Sequence, residues 1–439
     1  KDVIGKSNGK ILESVSNSLL IKKYTKGVLK LHGDETFSYI LSRIFLDSLG
    51  LGENRYVGYT EKSTNKIIER QNDKDLLNVK KFYLTNPKDN RPYLIVNGTV
   101  IGGIKYTKHL PSMHLEMTPL YTGVSYFNIV EKSKIGGGYV ETFSVDNNFL
   151  RKEDDLYLFK KSRKKMRRFN LSDMMAITGN APGTIIHKNF FARPFKNFGL
   201  PEVKFWSPYL AEENLNSSKV KTKEYPLGDG GNLENLGLIP LLKRQVDRII
   251  VFVNCQTPIE KYLTDDKKEM IKLDDAIDRV FGIEVDEAYA ISTNLLDNSD
   301  NQYNILCDTL YKLKKHGDPL VFTSRYKINK NADYGIFPVK GKSDFVQITW
   351  VYNDGFEGQY ANNKINSDVR TYYYNKGFDA FSKSFPHLPT FLTSRDLDGI
   401  NYEIPWSNML AHFSSWTIIE KESYFKKNVF GIKDLLNNN

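Results

Sequence analysis

Two short stretches of this sequence hold residue types that could do chemistry. In Gly228-Asp229-Gly230-Gly231 one acidic residue stands among glycines, ahead of a short helical pattern that begins at Pro240 and an apolar run, Val246–Val253. Glycine neighbours let a backbone approach closely, so a carboxylate in such a tight loop could act as a general base. Asp-Gly is also among the strongest turn signals, and spacing alone favours a plain turn. At the other end of the chain, Asp2-Val3-Ile4 leads into Gly5-Lys6-Ser7-Asn8-Gly9 and then into helical spacing over Lys10–Leu20. Strand, glycine-flanked serine and helix is the layout of a nucleophile elbow, which exposes a serine hydroxyl at a helix N-terminus. The pattern is short, and taken alone it reads as an N-terminal loop.

The chain around these stretches has 439 residues, 40% of them hydrophobic and 13% aromatic, enough for a packed core. No apolar stretch approaches the length of a transmembrane helix, and nothing resembles a secretory signal. Two cysteines, Cys255 and Cys307, make no disulfide framework and suit a reducing compartment. No cysteine–histidine cluster has zinc spacing, so neither metal nor other cofactor is expected. The formal charge of +10 favours anionic partners, phospholipid or nucleic acid. Its densest part is Lys160–Arg168, with Lys160, Lys161, Arg163, Lys164, Lys165, Arg167 and Arg168. Each such residue near an anionic leaflet contributes about 1 kcal/mol. The run has no interleaved aromatics for base stacking, so a membrane surface ranks first, a solvated loop next and nucleic acid last.

The elements that must position these residues follow from periodicity. Gly33–Gly50 reads as an amphipathic helix. Residues 53–89 and 188–223 are polar and read as surface insertions. Arg91–Ile104 carries a strand leaving at Gly102-Gly103, and Gly136–Gly138 reads as a turn. Ser125 reads as structural. Asn170–Gly183 is a helix and turn with Ser172 as its N-cap. Further helices are expected within Asp265–Asp286, Tyr289–Leu313 and Trp406–Lys426, and strands at Asp318–Arg325 and Phe345–Tyr352. Strands alternating with helical patterns predict an α/β fold.

Several of these segments share a resemblance. DGGNLENLGLIPLLKR…IIVFVN is similar to the aspartate-bearing segment of the patatin and cytosolic phospholipase A2 superfamily. PYLIVN followed by HLEMTPLYTG resembles that family's strand and F-E-x-T-P stretch, LSDMMAITGNAPG its helix and turn, and SFPHLPT a C-terminal feature. The resemblance implies one three-layer α/β domain over residues 1–439, patatin-like, with a central mainly parallel sheet flanked by helices. That sheet would hold Val246–Val253 and Ile95–Asn97. The activity implied is lipid acyl hydrolysis by a Ser–Asp dyad, with Asp229 as base and Ser7 as nucleophile, in the cytoplasm and peripheral at membranes. His387, between Pro386 and Pro389, reads as part of a turn, because such a dyad needs no histidine. Two departures matter. Lys6 and Asn8 stand where the family has small residues, and no G-G-G-x-R oxyanion loop precedes Ser7. The expectation is therefore either an N-terminal fragment, cleaved or lost ahead of Lys1, that completes the enzyme, or an inactive lipid-binding or structural scaffold. No nucleic-acid partner is expected.

Reversing the charges of Lys160–Arg168 should weaken binding to anionic vesicles, and the loss should shrink as salt rises. Vesicle co-sedimentation at two ionic strengths checks this; unchanged binding would reduce the run to a solvated loop.

Overall fold

The computed structural model describes residues 38–39, 42, 46–52, 55–71, 79–101, 113–130, 133–145, 150–153, 156–159, 169–180, 202–205, 223–254, 258–264, 267–283, 293–330, 332, 343–354 and 404–431. Contacts divide the chain into two compact units with a boundary between Asn235 and Leu236. Ser7, Lys160–Arg168, Cys255 and His387 lie outside the described residues.

The first unit begins with β1 (Tyr56–Gly58), α1 (Glu61–Gln71) and β2 (Phe82–Leu84), the two strands pairing in parallel. The Thr60 hydroxyl accepts from the Ser63 N–H and starts the helix. Ile67 and Ile68 on its inner face pack with Tyr56, Phe82 and Phe143. The described part of the expected insertion 53–89 thus shares a small core with Phe143.

The main sheet follows: β3 (Val96–Val100), β4 (Met113–Met117), β5 (Tyr121–Val130) and β6 (Ser133–Glu141), with a separate hairpin β7 (Leu150–Glu153) and β8 (Leu156–Phe159). After α2 (Leu171–Thr178), β9 (Glu202–Phe205) and β10 (Lys223–Asp229) complete it in the order β6-β5-β4-β3-β10-β9. Alternation in Met113, Leu115 and Met117 sends three apolar side chains to one face, where Met174 and Ile177 of α2 meet them. Every pairing in this sheet is antiparallel. The expected central, mainly parallel sheet is therefore wrong. The strand after Arg91 and the strand after Pro240 also belong to different sheets. Apolar periodicity reports burial and says nothing of which way a partner runs.

Two local expectations fail for identifiable reasons. Gly136–Gly138 is no turn but lies within β6, opposite Phe127 and Val124, where the register of β5 shifts. A side chain at Gly123 of β5 would strike the Gly138 carbonyl oxygen, so glycine here serves close strand approach. At α2 the N-cap is Asn170, not Ser172: Asn170 accepts from the Asp173 N–H, and Asp173 accepts from the Asn170 N–H. This reciprocal pair satisfies two donors at once, which Ser172, two residues later and already inside the helix, cannot do. Ser125 lies within β5.

The second unit opens with α3 (Leu238–Lys243), in which Pro240 occupies the third position rather than the first. That still falls in the first turn, where the missing N–H is not needed. β11 (Arg248–Asn254) follows, then the hairpin β12 (Glu260–Leu263) and β13 (Glu269–Lys272), α4 (Asp275–Val280), α5 (Gln302–His316), β14 (Val321–Lys327) and β15 (Phe345–Asn353). The chain closes with α6 (Ile404–Glu420), α7 (Glu422–Tyr424) and a π-helical turn, Phe425–Val429. β15 is central in a three-stranded sheet, parallel to β11 and antiparallel to β14. Ile249, Val251 and Val253 enter the core beside Trp350, whose indole donates to Tyr326 Oη at 2.9 Å. Among the described residues β11 is an edge strand, and Phe252 is 59% exposed.

Beside this core Asp354, nearly enclosed, accepts from Lys314 Nζ and from the Ile259 N–H, each at 2.8 Å. Removing one partner of such a pair strands the other charge. Lys314→Met should cost about 3 kcal/mol in urea unfolding, and adding Asp354→Asn should recover part of it.

Candidate functional site

The candidate site is the end of β10 and the turn after it. Tyr225 and Leu227 anchor the strand in the core of the first unit. Asp229 is its last residue, and Gly230–Asn232 form a single 3-10 turn. Both flanking glycines sit close to their neighbours. A Cβ at Gly228 would come within 2.6 Å of Ile101 Cδ1, and one at Gly230 within 3.1 Å of the Asn97 main chain. The strand end and the turn therefore pass their neighbours closely, and a larger residue at either position would require Ile101 or the Asn97 segment to shift.

The Asp229 main chain is held on both sides. Its N–H donates to the Asn180 carbonyl at 3.4 Å. Its own carbonyl accepts from Thr99 Oγ1 at 2.7 Å and from Asn232 Nδ2 at 2.9 Å. Asn180, fully buried just after α2, also donates through Nδ2 to the Leu227 carbonyl at 2.8 Å. The Asp229 side chain is half-buried and accepts from the Gly231 N–H at 2.9 Å. Burial pushes its carboxyl above the usual value and the Gly231 hydrogen bond pulls it back, with burial the larger effect. The result is a fixed, partly desolvated carboxylate, a form suited to taking a proton.

Sequence reading found Asp229 and its glycines Gly228, Gly230 and Gly231 but missed their surroundings. Strand pairing sets Thr99 beside His114, and Asn97 beside Glu116, so all four share one face of the sheet. His114 Nε2 lies 3.2 Å from Asn97 Oδ1, and Glu116 accepts from Tyr139 Oη at 3.3 Å. Thr99, His114 and Glu116 are all at least 98% buried. The polar alternation of His114-Leu115-Glu116 was the available signal, since polar residues at every second position mark one face of a strand. Ser7 lies outside the described residues, so the pairing of Ser7 with Asp229 stands on the sequence.

Among the described residues no group of histidine, cysteine and acidic side chains has the arrangement of a metal site, and no helix is long and apolar enough to cross a membrane. Compared with protein-family models the chain matches none, and no curated protein matches it.

The raised carboxyl of Asp229 carries a testable sign. Its ionised form is disfavoured in the fold, so it destabilises the protein above the folded-state value and not below the ordinary carboxylate range. Asp229→Asn should raise the melting temperature at neutral pH, and the gain should vanish below about pH 4. Thermal unfolding at several pH values measures this.

Proposed function

We propose that this protein is a carboxylic ester hydrolase acting on lipid acyl esters, with Asp229 as general base. The observation that carries the reading is the Asp229 carboxylate, half-buried, raised by burial and fixed at a glycine-flanked strand end. A serine hydroxyl, for which Ser7 is the candidate, would attack the ester carbonyl while its proton passes to Asp229. The proton would then go to the departing alkoxide. Water, deprotonated by the same carboxylate, would cleave the acyl-serine, releasing the fatty acid and restoring the hydroxyl. The basic run Lys160–Arg168 would hold the protein at an anionic membrane surface, where such substrates reside.

The pH dependence follows from the base. Asp229 must be ionised to accept a proton, so kcat/KM should rise with pH along an acid limb lying above the ordinary aspartate value. Asp229→Asn should lower kcat by at least about a hundredfold with the fold retained. Ser7→Ala should do the same, and the double variant should be little worse than either single one. Release of fatty acid from phospholipid vesicles is the readout. Full activity in Asp229→Asn would remove the base assignment. Full activity in Ser7→Ala alone would move the nucleophile elsewhere. No hydrolysis by the natural full-length protein would leave the lipid-binding scaffold as the reading.

A further inference from the structure

A second feature of the first unit has no part in that chemistry. A cleft of about 530 Å³ is lined by Tyr83, Thr85, Arg91, Tyr93, Ile95 and Leu171, together with Pro92 and Leu94. Its size falls in the range of small-molecule sites, and Asp229 is not among its lining residues. The lining is mostly aromatic and aliphatic, with one cation.

That cation is presented by a built loop. Asn86, 1% exposed, accepts through Oδ1 from the N–H groups of Asn90 and Arg91 at 2.9 and 3.0 Å. Its Nδ2 donates to the Arg91 carbonyl at 3.1 Å and to Tyr59 Oη at 3.0 Å. Tyr59 stacks edge-on against Tyr93 at 4.9 Å, and Tyr93 donates to Thr118 Oγ1 at 2.7 Å. The main chain of Arg91 and the Tyr93 ring are thus fixed. The guanidinium itself has no partner among the described residues, nor does the Tyr83 hydroxyl. Leu171, the first residue of α2, adds an aliphatic side chain to the lining.

We propose that this cleft binds an anionic amphiphile, its carboxylate or phosphate head on Arg91 and Tyr83 and its hydrocarbon chain against Tyr93, Ile95 and Leu171. An arginine fork pairs with either head in two parallel hydrogen bonds, and the apolar walls exclude water from the chain. A cationic head would meet only repulsion, and a short anion would forgo the walls.

Dodecanoate, dodecyl phosphate, dodecyltrimethylammonium and acetate, each below its micelle concentration, are titrated into the full chain by calorimetry. Saturable one-to-one binding is expected for at least one dodecyl anion, and the stronger of the two identifies the head group. Arg91→Gln, at an exposed position, should weaken it about tenfold, the worth of one charge-assisted contact. Leu171→Asp places a carboxylate where the helix start tolerates it and the ligand does not, and should abolish binding; because Leu171 also packs against the core of the first unit, an unchanged circular dichroism spectrum at the assay temperature is its control. Asp229→Asn should bind as the parent does, which separates this site from ester hydrolysis. Binding of neither anion, equal binding of the cationic amphiphile, or unchanged affinity in Arg91→Gln or Leu171→Asp would overturn the proposal.

Discussion

The hydrogen bonds on either side of the Asp229 peptide govern what the glycine loop can do. A carboxylate on an unrestrained Gly-Asp-Gly-Gly segment would sample many positions, and glycine maximises that freedom. Here Thr99 and Asn232 both take the Asp229 carbonyl, and Asn180 both receives its N–H and reaches back to Leu227. The strand end is therefore fixed before the side chain is considered. The single Gly231 N–H then sets the carboxyl without saturating it. A carboxylate taking two or three such donors would be a poor base, because each stabilises the ionised form.

The antiparallel sheet supplies those anchors. β3 lies between β10 and β4, so Thr99 can reach Asp229 on one side while its strand partner is His114 on the other. One face of these strands, through Leu115 and Met117, meets α2 and forms the core. The other carries a polar row in which Thr99, His114 and Glu116 are buried and Asn97 is half-buried. Polar groups at that depth are tolerated only when hydrogen-bonded, and the pairs His114–Asn97 and Glu116–Tyr139 meet the requirement. The row and the loop are joined through the Thr99 hydroxyl.

What the sequence made legible divides along physical lines. β11 was readable because its short apolar run is rich in β-branched residues, and β15 because its residues alternate. α5 was likewise readable from helical spacing. Strand direction was not readable, and neither was the separation of β3 and β11 into different sheets, since both depend on chain reversals that periodicity does not encode. The glycines of β6 misled because the turn and the close-packed bulge call for the same residue. At the site, Asp229 stood out by its glycine neighbours. Thr99 and Asn180 did not, because an amide or hydroxyl that serves a carbonyl far along the chain leaves no local pattern.

A raised carboxyl alone would not have selected Asp229. In the second unit Asp278 is pushed up to about 7, chiefly by burial, with neighbouring Asp275 adding to the rise and Lys272 and Tyr303 opposing it. Yet Asp278 is 3% exposed and accepts from Tyr303 Oη at 2.6 Å, with Cys307 beside the same ring and its thiol pushed up to about 12. A proton exchanged there stays within a closed core cluster, so its effect falls on stability rather than on a substrate. Asp229 differs in access. It is half-buried, borders a turn and has one carboxyl oxygen committed to a single main-chain donor. Perturbation marks a group as costly to ionise, and access decides whether that cost can be turned to chemistry.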